Sequence, residues 1–94
     1  MAACAMVHID VHDEERYGHY VPLAAAAVEK YGGEFLARGG EALQLEGTGR
    51  SRNVIIRFVD IETAKAFYYS PEYQEALTHA LPVSTREYVL VEGV

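Results

Sequence analysis

The residues of this chain that could do chemistry together are His8, Asp10, Arg38 and Arg57. A guanidinium fork matches the oxygens of a carboxylate, enolate or phenolate. A histidine near neutral pH can take or give a proton. An aspartate beside either one can orient it. Read as one cluster, they make an anion-binding pocket in which His8 and Arg57 are the candidate catalytic pair and Asp10 orients. Arg38 is a further ligand contact. Two plainer readings stand beside this one. Asp10 and Arg57 could be an ion pair across neighbouring strands, and Arg38 could satisfy backbone carbonyls at a bend.

His8-x-Asp10-x-His12 has side chains on one side of an extended segment. Alternate positions lie roughly 6.6 to 6.8 Å apart along a strand, so one ion would reach only a neighbouring pair. No Cys/His cluster elsewhere supplies further ligands, and no metal site is assigned. Arg50 and Arg52 flank a glycine turn but precede a strand rather than a helix, which is not a P-loop arrangement. His79 stands in no recognisable haem motif, and Ser84, Thr85 and Arg86 form no nucleophile pattern. No cofactor is expected. There are seven tyrosines. Most serve core or dimer contacts, with Tyr68 or Tyr69 as the candidate cavity wall; the two cannot both face inward from one helix.

These residues need elements to hold them. Residues 5–11, AMVHIDV, alternate as a strand, with Val7, Ile9 and Val11 on one face and Met6, His8 and Asp10 on the other. Asp13 opens a helix with Glu14 and Glu15 in its first turn. Tyr17, Ala24, Val28 and Tyr31 form its apolar stripe, and Pro22 should kink or restart it. In YGGEFLARGGEALQLEG, residues 31–47, the first glycine pair reads as a helix stop. Residues 34–38 are a second strand. The second pair reads as a bulge or bend, after which residues 41–46 resume the extended pattern. NVIIRFV, residues 53–59, is a third strand. Asp60 caps a helix with Ile61, Ala64, Phe67 and Tyr68 buried, and Ser70-Pro71 starts another carrying Tyr73, Leu77 and Ala80. EYVLVE, residues 87–92, is the last strand.

Strand, helix, strand, strand, helix, strand is the split βαβ, ferredoxin-like α+β order. It implies a four-stranded antiparallel sheet in the order 4-1-3-2, helices on one face, with the central 1–3 pair expected to run parallel. The opposite face would carry Met6, Ile55 and Val59, too apolar for simple exposure. Two such faces meeting would make a homodimeric α/β barrel.

Composition agrees with one small domain spanning 1–94. Half the 94 residues are hydrophobic, and a chain this short buries a modest fraction of its surface alone. The net charge of -6 lacks the basic excess of a nucleic-acid or anionic-membrane binder. No apolar run approaches the roughly 20 residues of a membrane span. The start shows no cationic leader, and the single Cys4 fits a reducing compartment, so a cytoplasmic location is expected.

The pieces YVPLAAAAVEKYGGEFLARGG, VIIRF, ETAKAFYYSPEYQEAL and VLVEG resemble the domain-of-unknown-function 1330 (DUF1330) family of the dimeric α/β-barrel superfamily. The resemblance covers nearly the whole chain from about Met6. It implies the fold and the dimer. The superfamily includes cofactor-free monooxygenases, haem enzymes, lactone isomerases and plain ligand binders, so it implies no single activity. Family members usually have an aromatic-and-proline turn where this chain has Gly47-Thr48-Gly49-Arg50-Ser51, and often an acid in place of Arg57. The expectation from sequence is therefore a homodimer that binds a small anionic or aromatic molecule. A cofactor-free monooxygenase or isomerase using the same pocket, and a purely structural dimerisation module, are the alternatives.

Overall fold

The computed structural model describes all residues, 1–94. The chain runs β1 (Ala3–Val11), α1 (Glu14–Tyr17), α2 (Tyr20–Lys30), β2 (Glu34–Arg38), β3 (Arg52–Phe58), α3 (Ile61–Tyr68), α4 (Pro71–Ala80), a 3-10 turn (Leu81–Val83) and β4 (Ser84–Glu92). The sheet order is β2-β3-β1-β4, the expected 4-1-3-2. Every neighbouring pair is antiparallel, including β1–β3, which corrects the parallel central pair. The reason is geometric. The first helical crossover returns the chain parallel to β1, so β2 runs with β1. The β2–β3 connection then reverses direction, and β3 must oppose β1.

The helix starts follow from side-chain caps. Asp13 accepts from the Arg16 N–H, Asp60 from Thr63 and Ser70 from Tyr73, and Pro71 takes the first helical position after Ser70. The first helical region does not kink at Pro22. It breaks at Gly18-His19, and Pro22 falls in the first turn of α2, where a missing N–H costs nothing. The two glycines of the first pair have different duties. Gly32 has φ +70° and open space around it, so its requirement is conformational. At Gly33 a Cβ would lie 2.8 Å from Val28 Cγ1 and 2.9 Å from Phe58 Cε1, so its requirement is room.

β2 ends at Arg38, and residues 40–51 carry no ladder, so the extended pattern over 41–46 is not a strand. The irregularity in β2 comes earlier than the glycines: Phe35 pairs with Ile56, but Ala37 pairs with Ile55, leaving Leu36 as the extra residue. Gly39, at φ +70°, closes the ladder through its N–H to the Asn53 carbonyl.

All helices lie over one sheet face. Ala5, Val7, Ile9, Ile56 and Phe58 point into that layer and meet Ala64, Phe67, Tyr73 and Leu77 from the helices. The other face is laid out in rows by the register. Ile55, Met6 and Val89 form an apolar row across three strands; Asn53, His8 and Glu87 form the next. Val89 and Val91 are 48% and 45% exposed there.

Candidate functional site

The helix-side layer is not filled. A cavity of about 260 Å³ lies between α1–α2 and the sheet. Its walls are mostly apolar, and its only charged lining residues are Arg38 and Arg52. Two rows of the register build its floor. Arg38, Val54, Val7 and Tyr88 face one another across the full width of the sheet, and Arg52, Ile9 and Arg86 form the row beside them.

The Leu36 bulge decides the position of Arg38. Strict alternation would put residue 38 on the side opposite residue 35. The extra residue restores Arg38 to the Phe35 side, and its guanidinium stacks 4.3 Å above the Phe35 ring. No carboxylate lies within ion-pair distance of Arg38. Arg52 lies 5.2 Å over the Tyr17 ring and reaches Glu14 at 3.3 Å.

The cavity's β4 side is phenolic. The helix break at Gly18-His19 leaves Tyr17 and Tyr20 with ring centroids 5.0 Å apart, both lining the cavity with Tyr73 and Tyr88. Arg86 donates to the Tyr17 hydroxyl at 3.0 Å and to those of Tyr20 and Tyr73 at 3.2 Å each. Tyr20 and Tyr73 hydroxyls also bond each other at 2.8 Å. Burial raises the Tyr17, Tyr73 and Tyr88 phenols above their ordinary value, so they remain neutral donors at physiological pH. Arg86 has no carboxylate partner. The Tyr88 hydroxyl is buried with no hydrogen-bond partner at all.

The expected single cluster of His8, Asp10, Arg38 and Arg57 therefore divides between the two faces. Arg38 lies at the cavity. His8, Asp10 and Arg57 lie on the opposite face of the sheet, as their alternation indicated. Asp10 and Arg57 do not pair. Arg57 stands opposite Cys4 and Glu34, and Cys4 is six positions along β1 from Asp10. Asp10 instead accepts from Arg50 Nη1 and the Ser51 N–H at 2.9 Å each, and Arg50 also donates to Glu87. His8 Nδ1 is 2.6 Å from Asn53 Oδ1 and His12 Nε2 is 2.8 Å from the Thr85 hydroxyl. No group of three His, Cys, Asp or Glu residues is placed to hold a metal ion. Tyr69 is 73% exposed. Tyr68 sits one layer behind the cavity, its ring edge-on to Tyr88 at 4.9 Å. Sequence reasoning missed Arg52, Arg86, Tyr17, Tyr20 and Tyr88 as a group. The available signal was that Arg86 and Tyr88 share the inward phase of the last strand.

The Arg50 network gives a pH prediction. The Ser51 N–H and then Arg50 hold the Asp10 carboxyl below its ordinary value, and Arg50 does the same for Glu87. A carboxylate depressed in the folded state stabilises above its unfolded pKa of about 4, and that contribution is lost as pH falls through the folded value. Arg50→Gln removes the effect on Glu87 and Arg50's share of the effect on Asp10, and leaves the Ser51 N–H bond in place. The fall in Tm between pH 7 and pH 3, followed by circular dichroism, should be smaller in Arg50→Gln than in the parent. An equal fall would show that the network does not set the acid response.

Fold and site define the class first: a ferredoxin-like α+β domain with an arginine-rimmed apolar cavity between its helices and its sheet. The chain belongs to the DUF1330 family, whose description is "Domain of unknown function"; the match covers residues 2–94. Solved structures share the fold at low identity. A protein of unknown function from Rhodopseudomonas palustris matches with TM-score 0.79 at 15% identity, over 99% of this chain and 82% of that one. A dimeric ferredoxin-like protein of unknown function from Jannaschia sp. CCS1 matches with TM-score 0.78 at 14% identity, over 99% and 100%. SnoaB, a cofactor-independent oxygenase from Streptomyces nogalater, matches with TM-score 0.66 at 14% identity, over 99% and 93%. The search of functionally curated proteins gave no match. No helix is long and apolar enough to cross a membrane.

Proposed function

We propose that the chain is a homodimeric binding protein for a small molecule with an apolar, aromatic body and an anionic group. The observation that carries this reading is an apolar cavity whose only charged lining residues are two arginines. At about 260 Å³ it lies just below the roughly 300 Å³ at which drug-sized sites begin, so the ligand is small. Arg38 and Arg52 supply planar donor forks for its anionic oxygens. The dimer is supported by the apolar row Ile55–Met6–Val89 on the outer face and by the dimeric relatives of the same fold. In this reading His8, Asp10 and Arg57 belong to the face that a second copy covers. The enzymatic alternative has SnoaB as a distant neighbour, but no histidine or carboxylate lines the cavity to move a proton. His8 as a proton carrier therefore draws no support from the geometry.

Isothermal titration calorimetry with 2-naphthoate tests the reading. The parent protein should bind it. Ala25→Phe, which fills the cavity from α2, should abolish the heat signal, and Arg38→Gln should weaken binding about tenfold, the scale of one charge-assisted contact. Binding unchanged by Ala25→Phe would place the ligand elsewhere and overturn the proposal.

A further inference from the structure

We infer that the cavity takes an elongated ligand with an acceptor oxygen at each end: an anionic group against Arg38 and Arg52, and a carboxylate or phenolate oxygen against the tyrosine hydroxyls on the β4 side. This rests on the binding function proposed above and deepens it.

The first support is a count of hydrogens. Tyr17, Tyr20 and Tyr73 all use a lone pair of their hydroxyl oxygen to accept from Arg86. The Tyr20–Tyr73 bond consumes one of that pair's two hydrogens. The other hydrogen of the pair and that of Tyr17 have no acceptor in the chain. The Tyr88 hydroxyl has no partner of either kind. A buried hydroxyl without a partner costs stability, and such orphans need an explanation. A ligand carboxylate, with two acceptor oxygens, matches this surplus, because what the site has left over is donors.

The second support is charge. Arg86 is a mostly enclosed cation whose partners are three neutral phenols, with no carboxylate in ion-pair range. Its guanidinium also lies 5.0 Å from the Tyr20 ring centroid. A cation placed behind O–H donors polarises them toward whatever accepts in front, and more so away from water. Arg86 is thus a positioning residue. From its row in the floor, behind the phenols, it sets the direction and strength of the tyrosine hydroxyls that line the cavity.

The third support is layout. Arg38 and Tyr88 terminate the same register row, on β2 and β4, with Val54 and Val7 between them. Three strand intervals of about 4.8 Å separate the two ends by roughly 14 Å at the backbone. Both side chains reach inward, so a two-ring body over the apolar middle brings an oxygen to each end. A molecule with one polar end leaves the tyrosines unsatisfied.

The test compares naphthalene-2,6-dicarboxylate with 2-naphthoate by calorimetry on the parent protein, Arg86→Met, Tyr88→Phe and Arg38→Gln. In the parent the dicarboxylate should bind at least about tenfold more tightly. Arg86→Met should reduce that advantage to within about threefold. Tyr88→Phe, which removes only an oxygen that has no partner, should reduce it several-fold with no loss of folding. Arg38→Gln should weaken both probes and keep part of the advantage. The ratio between the two probes is the informative readout, since mere damage to the fold weakens both alike. If 2-naphthoate binds and the dicarboxylate has no advantage, or the advantage survives both Arg86→Met and Tyr88→Phe, the inner subsite is wrong while the binding function stands. If neither probe binds, both fall together.

Discussion

Phe67→Ala is expected to destabilise the domain by about 3–5 kcal/mol, the range for truncating a fully buried aromatic. Phe67 is 0% exposed and stands at the meeting point of helices and sheet. Its ring centroid lies 4.5 Å from that of Tyr73, 5.1 Å from Phe58 and 6.2 Å from Tyr31. It also borders the cavity, so truncation enlarges a void that already exists and its neighbours have little means of closing it. A domain of this kind has about 5–15 kcal/mol in total, so the variant should lose a large share of its stability. Tyr69→Ala is the control. Tyr69 is 73% exposed, and its loss should cost under about 1 kcal/mol. Urea unfolding at one fixed protein concentration reads both, since dimer formation would make stability depend on concentration. A cost below 1 kcal/mol at Phe67 would show that the central aromatic cluster is not what holds the layers together.

Val89→Asp is expected to convert the proposed dimer to monomer without unfolding it. Val89 is 48% exposed in the single chain and lies beside Met6 in the register, in the row completed by Ile55. An aspartate there is solvated in the monomer and costs little. In a face-to-face dimer it would bury a carboxylate against apolar side chains. Twofold symmetry places one on each copy, so the penalty counts twice. Burying an unpaired charge costs several kcal/mol. A total of about 3 kcal/mol would already weaken association more than a hundredfold. Light scattering after size exclusion should show a dimer for the parent and a monomer with native circular dichroism for the variant. A Val89→Asp protein that stays dimeric would mean that the second copy docks on another face.

Much of the architecture was legible before the structure, because it is written in short-range chemistry. Asp13, Asp60 and Ser70 cap helices through their own side chains, and Gly32 takes the left-handed conformation that ends α2. The alternation around Val7 and Ile9 correctly assigned His8 and Asp10 to the outer face. Where local chemistry admitted two outcomes, tertiary contacts chose. Pro22 could have kinked a helix. The chain instead broke at Gly18-His19, which lets both Tyr17 and Tyr20 reach the cavity. Residues 41–46 alternate well enough for a strand but have no neighbour to pair with, and a strand without a ladder does not form.

The sequence alone determined the four strands, the helix starts at Asp13, Asp60 and Ser70, and which residues of each regular strand share a face, since those depend on spacing and on contacts a few residues long. It could not determine partners. The Leu36 bulge places Arg38 on the helix side, and only pairing with β3 reveals it. Asp10 and Arg57 occupy the same face, as read, but the register puts them at opposite ends of their strands, so the aspartate pairs with Arg50 instead. In the sequence Arg86 stands only in the run Ser84-Thr85-Arg86, which forms no nucleophile pattern. Its significance comes from Tyr17, Tyr20 and Tyr73, which lie 69, 66 and 13 residues away and meet it only when the helices close over the sheet. Alternation specifies a direction for each side chain. Which side chains then meet is set by strand register and helix docking, and these are properties of the folded whole.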